Sequence, residues 1–133
     1  MAQLHGRCFG RGWSVDEMRA LLDQPTTRAV VGETGFALLQ IIVPEAELLT
    51  LAVEPDQRRH GLGRALLQQA MQDAARSGAD TIVLEVDAGN APALTLYDSE
   101  GFQRIAVRQD YYRHADGRRS DAIVMSRALN QGT

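Results

Sequence analysis

A single cysteine, Cys8, cannot close an intramolecular disulfide, so nothing in the sequence asks for an oxidising compartment. The thiol reads as free and without a role. No apolar run is long enough for a signal peptide or a membrane span, and the stretch from Met1 to Trp13 carries Arg7 and Arg11 among glycines. A cytoplasmic location without membrane contact is expected. Positive charge is also scarce. Fourteen basic against seventeen acidic residues give a net charge of -3, which argues against a general nucleic-acid binder and a polybasic membrane anchor. His5, His60 and His114 lie far apart with no Cys or Asp at ligand spacing, so no metal is expected, and no catalytic triad or paired carboxylate stands out. Repeats, low-complexity tracts and linkers are lacking too. At 133 residues and 44% hydrophobic, residues 1–133 read as one domain with one core.

What is present alternates between helical and strand periodicity. Ser14-Val15-Asp16-Glu17 has the form of a capping box, with Trp13 and Met18 placed as a hydrophobic staple, and Pro25 ends the helix that should start there. Ala29-Val30-Val31, Gly35 to Val43 and Glu47 to Val53 are short β-branched runs separated by turns, and predict three antiparallel strands. Gly63, Leu66, Leu67, Ala70, Met71 and Ala74 mark one face of a helix from Gly61 to Gly78, which Gly78 suits as a C-terminal cap. Thr81 to Val86 predicts a strand burying Ile82, Leu84 and Val86, which leaves Glu85 on the other face. Asn90 and Pro92 open a short helix that Gly101 closes. Phe102 to Arg108 and Ala122 to Leu129 predict two further strands, and polar Gln109 to Asp121 reads as a loop.

The strand Leu48 to Val53 runs through Glu54-Pro55-Asp56-Gln57 into Arg58-Arg59-His60-Gly61-Leu62-Gly63-Arg64 and then the long helix. A strand, a glycine-bearing turn and a helix start make an anion site, because unpaired amides and the positive end of the helix dipole point outward together. Two nucleotide readings fail. A Walker loop needs Lys and Ser or Thr after its second glycine, where Arg64 and Ala65 stand, and a Rossmann fingerprint needs a third glycine where Leu66 stands. A plain strand-to-helix turn with solvated arginines remains the simpler alternative for this segment alone.

Arg58-x-x-Gly61-x-Gly63, Glu85 on a following strand, Asn90, and Leu96-Tyr97-x-x-x-Gly101-Phe102 together resemble the GNAT family of acetyl-CoA-dependent N-acetyltransferases. From Leu51 to Leu129 the chain is most similar to the ribosomal-protein alanine N-acetyltransferases of the RimI type. The parts that carry this are Ala52-Val53-x-Pro55, Gly61 to Leu67, Leu84-Glu85-Val86, Asn90-Ala91, Tyr111-Tyr112 and Asp116-Gly117-Arg118.

The resemblance implies an α/β fold, a mixed sheet splayed between the strand ending at Val53 and the strand ending at Val86, with acetyl-CoA lying in the gap as cosubstrate. Backbone groups of Leu51, Ala52 and Val53 would pair with the pantetheine arm. The stretch Arg58, Arg59, His60, Gly61, Leu62, Gly63 and Arg64 would hold the pyrophosphate, mainly through its amides. Asn90 would face the arm near the acetyl group, and its plainer role as a helix cap does not exclude that contact. Glu85 resembles the general base, acting directly or through water, and Tyr97 the acid that protonates the departing thiolate. The plainer readings are a charged residue on the wet face of an edge strand for Glu85, and a half-buried aromatic at helical spacing with Ala93 and Leu94 for Tyr97.

The family has a further strand and part of a helix before Trp13, where this chain has only Met1 to Gly12, so the first strand is expected to be missing. Either the start is internal, or Ala29-Val30-Val31 has an exposed edge that the N-terminal arm or a second copy, as a homodimer, could cover. Asp87 and Gly89 stand where the nearest subgroup has other residues. The expected reaction is direct acetyl transfer to the N-terminal α-amine of a protein. Transfer to a small-molecule amine, and a catalytically silent acyl-CoA-binding module, are the alternatives.

Overall fold

The computed structural model describes residues 19–20, 23–32, 35–53 and 61–129. The capping box at Ser14, Cys8, and the basic residues Arg58, Arg59 and His60 lie outside the described residues. Arg19 and Ala20 are helical.

Three strands come first: β1 (Thr27–Val31), β2 (Gly35–Ile42) and β3 (Glu45–Val53). They form an antiparallel meander, as the short β-branched runs predict. Helix α1 (Leu62–Arg76) then crosses to β4 (Thr81–Asp87), which pairs with β3 in parallel. After helix α2 (Ala91–Ser99), the chain closes with β5 (Gln103–Arg113) and β6 (Arg119–Ala128). Among the described residues the sheet has six strands in the order β1-β2-β3-β4-β6-β5, so β1 and β5 are its edges. Val31 on β1 is 69% exposed.

The core gathers on the helical side of the sheet. Leu66, Leu67, Ala70, Met71 and Ala74 of α1 pack with Ala46, Leu48 and Val53 of β3 and with Ile82, Leu84 and Val86 of β4. The apolar spacing along α1 dictates that face. Close approach at the top of the sheet depends on Gly35, where an added Cβ would stand 2.5 Å from the Ala52 carbonyl oxygen and 2.9 Å from Leu66. The chain leaves α1 through Gly78, at φ 102°, with the Ala79 amide donating to the Ala74 carbonyl at 3.0 Å, a left-handed ending that glycine permits.

Two features of the fold shape the site. At the β2–β3 pairing, Leu38 faces Thr50 and Leu39 faces Leu48, so Leu49 is an extra residue, a β-bulge. Just there, pairing between β3 and β4 stops at Leu48 with Leu84, and the two strands continue to Val53 and Asp87 without pairing to each other. A bulge bends and twists its strand, which accounts for the parting.

The segment Gln109 to Asp121 corrects the loop expected from its polarity. The β5–β6 hairpin runs through it, pairing Tyr112 with Ser120 and Arg113 with Arg119 around a short turn where Gly117 has φ 87°. Edge strand β5 is exposed on both faces over most of its length, so it carries no apolar alternation to betray it. A second irregularity lies between Arg108 and Tyr112. Asp110 adopts φ 53° there and its amide donates to the Asp121 carboxylate at 2.9 Å.

Candidate active site

Beyond the point where β3 and β4 part, three elements converge: the start of α1, the end of β4 and the start of α2. Gly61 caps α1 at φ 73°, with no side-chain cap and no acidic residue in the first turn. The first intrahelical bond runs from the Ala65 amide to the Gly61 carbonyl at 3.1 Å. Leu62, Gly63 and Arg64 therefore present amides that helix geometry leaves without intrahelical acceptors. An added Cβ at Gly61 would meet nothing within 4 Å among the described residues. The Arg64 side chain turns away to pair with Glu100, which also accepts from Gln68 at 3.1 Å.

Leu51, Ala52 and Val53 lie on the segment of β3 that has parted from β4. Ala52 and Val53 are buried, and Leu51 packs against the core. Asn90 caps α2, its Oδ1 accepting from the Ala93 amide at 3.2 Å. Its amide in turn donates to the Asp87 carbonyl at 2.9 Å, which fixes α2 to the end of β4.

Glu85 is not on an edge: β4 is flanked by β3 and β6. The alternation of β4 buries Ile82, Leu84 and Val86 and leaves Glu85 and Asp87 half-buried on the opposite face. The Glu85 carboxylate, 24% exposed, pairs through Oε1 with Arg108 Nη2 of β5 at 3.3 Å. Asp87 accepts from the Gly89 amide at 2.8 Å and pairs with His114 Nε2 at 3.3 Å, and the same imidazole nitrogen lies 2.8 Å from Ser120 Oγ. From β3, Glu47 joins this face. Burial first, then the negative charges of Glu85 and Glu45, push its carboxyl above the usual range, against the pull of Arg108.

Tyr97 is buried rather than half-buried, at 8% exposure, and its ring meets Phe102 edge-on at 5.6 Å between centroids. Burial, with a smaller contribution from Tyr112, pushes its hydroxyl up to about 12. Tyr112 is likewise pushed up to about 12, by burial and then by Glu85, Tyr111 and Asp87. Tyr112 thus lies within reach of the charges of Glu85 and Asp87, and the Tyr97 hydroxyl responds in turn to Tyr112. Arg108 is the last residue of the strand expected from Phe102 to Arg108, and His114 lies in the segment that reads as a loop, so neither Arg108 nor the Asp87–His114 pair stands out in the sequence as part of the site. Tyr112 was visible only as part of the Tyr111-Tyr112 doublet. Among the described residues, no group of three or more His, Cys, Asp or Glu is arranged to hold a metal ion.

Residues 1–102 match the model of the acetyltransferase (GNAT) family. The chain belongs to that family. It is 46% identical over 92 residues to the [ribosomal protein bS18]-alanine N-acetyltransferase of Escherichia coli strain K12, covering 69% of this chain and 62% of that protein. It is 40% identical over 99 residues to the N-alpha-acetyltransferase RimI of Mycobacterium tuberculosis, covering 74% and 59% respectively. Among solved structures, that of the ribosomal-protein-S18-alanine N-acetyltransferase from Escherichia coli superposes with a TM-score of 0.87 at 34% identity, covering 99% of this chain and 87% of that one. The fold expected from the sequence is therefore the one observed.

Proposed function

We propose that this chain is an acetyl-CoA-dependent N-acetyltransferase acting by direct transfer on the N-terminal α-amine of a protein. The observation that carries the reading is the parting of β3 from β4 beside a helix start that has no side-chain cap, with Glu85 and Tyr97 at the same end of the sheet. The left-handed turn at Gly61 and the amides of Leu62, Gly63 and Arg64 fit a pyrophosphate, and β3 from Leu51 to Val53 fits an extended arm beside it. The bound acetyl-CoA supplies an activated acyl carbon, and the chain supplies orientation and proton transfer.

An α-amine has a pKa near 8, so about a tenth is already neutral at pH 7, and a carboxylate base of modest strength suffices. Glu85 takes one proton from the amine, directly or through water, as the nitrogen bonds to the acyl carbon. The carbon–sulfur bond breaks and Tyr97 gives its hydroxyl proton to the sulfur. Exchange with solvent then returns a proton to Tyr97 and removes one from Glu85. Asn90, fixed as the α2 cap, would face the arm near the acetyl group. The relatives named for bS18 alanine favour a small first residue on the acceptor.

Transfer to a small-molecule amine is the second reading, favoured by the carboxylates of Glu47, Glu85 and Asp87, which would attract a polyamine. The test is an acetyl-transfer assay with Ala-starting peptides, spermidine and free amino acids. Fastest turnover on an Ala-starting peptide is expected. Faster turnover of spermidine favours the second reading, and tight acetyl-CoA binding with no turnover on any amine leaves a silent binding module.

A further inference from the structure

The ion pair between Arg108 and Glu85 has no part in the chemistry just described. Arg108 belongs to edge strand β5, while Glu85 lies two strands away on β4, so the guanidinium reaches across β6. It can do so because the β6 residue in register with Arg108 is Ala122, which is also in register with Asp87 and is too short to block the path. Its Cζ lies 5.4 Å from the centre of the Tyr111 ring, a cation–π contact that limits where the long side chain can go.

The charges around Glu85 explain why a cation is needed there. On the same side of the sheet β3 carries Glu45 and Glu47, β4 carries Asp87, β5 carries Tyr111 and Tyr112, and the hairpin turn carries His114, which is held by Asp87. The residues of β6 in register with Glu85 and Asp87 are Val124 and Ala122, and α2 contributes Tyr97, so neither adds a positive charge. Like charges gathered on one side of a sheet repel one another, and a cation among them offsets that repulsion.

We propose that Arg108 is a positioning residue for acetyl transfer: it holds Glu85 through Oε1, offsets the charge of Glu47, and leaves the second carboxylate oxygen for the acceptor amine. This rests on the reading of Glu85 as the base. The experiment measures turnover against pH, with saturating acetyl-CoA and an Ala-starting peptide, for the wild type, Glu85→Gln, Arg108→Met, Arg108→Lys and Arg108→Met with Glu47→Gln. Circular dichroism and calorimetric acetyl-CoA affinity check that each variant is folded. Glu85→Gln is expected to remove the acidic limb that belongs to the protein, leaving only the decline that protonation of the α-amine, with a pKa of about 8, imposes on every variant. Arg108→Met moves that limb upward by roughly one pH unit, Arg108→Lys restores most of the shift, and adding Glu47→Gln to Arg108→Met brings the limb back. An acidic limb that stays in place in Arg108→Met, even with lower turnover, overturns the proposal and leaves Arg108 a surface pair. An unchanged limb in Glu85→Gln overturns the base assignment itself, and the proposal with it.

Discussion

The hydroxyl of Tyr97 gains and loses from its burial. A phenol pushed up to about 12 stays protonated through the whole working range, so the donor is always loaded, but it is a reluctant acid. A thiolate forming in the same dry space is penalised in the same way, which narrows the gap between donor and acceptor. Tyr97→Phe keeps the edge-on packing against Phe102 and removes only the proton. Turnover should fall by about 10² to 10⁴ while acetyl-CoA affinity holds, and wild-type turnover with chemistry rate-limiting would reduce Tyr97 to a packing residue. The same hydroxyl links stability to pH. Its value rises from 10 to about 12 on folding, so the native state keeps a proton that the unfolded chain gives up. The stabilisation is complete below pH 10 and is lost as pH rises through about 12. Urea midpoints should therefore fall between these limits, by on the order of 2 kcal/mol from this side chain, and fall less in Tyr97→Phe. Equal losses in the two proteins would place the alkaline sensitivity elsewhere.

Among the elements, the start of α1 is where conformation and binding can be separated. Gly61 and Gly117 both have positive φ, 73° and 87°, and an added Cβ at either meets nothing within 4 Å among the described residues, so a valine at either strains the backbone without a clash there. Gly61→Val and Gly117→Val should lose similar stability, about 1 to 2 kcal/mol. Only Gly61→Val should also weaken acetyl-CoA binding, read by calorimetry. Matching affinities for the two would mean that the α1 amides do not hold the pyrophosphate. The elements also show what a sequence discloses. β4 and α1 were readable because each has one buried face, so Ile82, Leu84 and Val86 alternate and Leu66, Leu67, Ala70, Met71 and Ala74 recur at helical spacing. The Asn90 cap was readable because capping chemistry is local. β5 was cut short at Arg108 because an edge strand wet on both faces has no period to read. The Leu49 bulge left no mark in composition, since it exists only in the register between two strands. Arg108 followed β5: its contact with Glu85 is made across an intervening strand and has no signature in spacing.

At the scale of the whole molecule, the order β3-β4-β6-β5 collects acidic groups from two central strands and a single arginine from an edge onto one side of the sheet. The net charge of -3 has the same sign as that face, so both the local and the global field draw cationic acceptors. All fourteen Lys and Arg residues of the chain are arginine, so on the proposed reading no lysine side chain within it competes for acetyl groups. Acceptor peptides that take their positive charge from arginine alone then have one reactive amine, the α-amine. Two Ala-starting peptides of equal length, one with arginines after the first residue and one with glutamates, should differ in KM at low salt, the basic one binding several-fold better. Screening shortens the reach of exposed charges from about 10 Å at 0.1 M to about 3 Å at 1 M ionic strength. Raising salt should therefore increase KM for the basic peptide, lower it for the acidic one, and leave kcat for both nearly unchanged. The same salt response for both peptides would show that the acidic side of the sheet does not meet the acceptor, and would move the acceptor's path away from Glu47, Glu85 and Asp87.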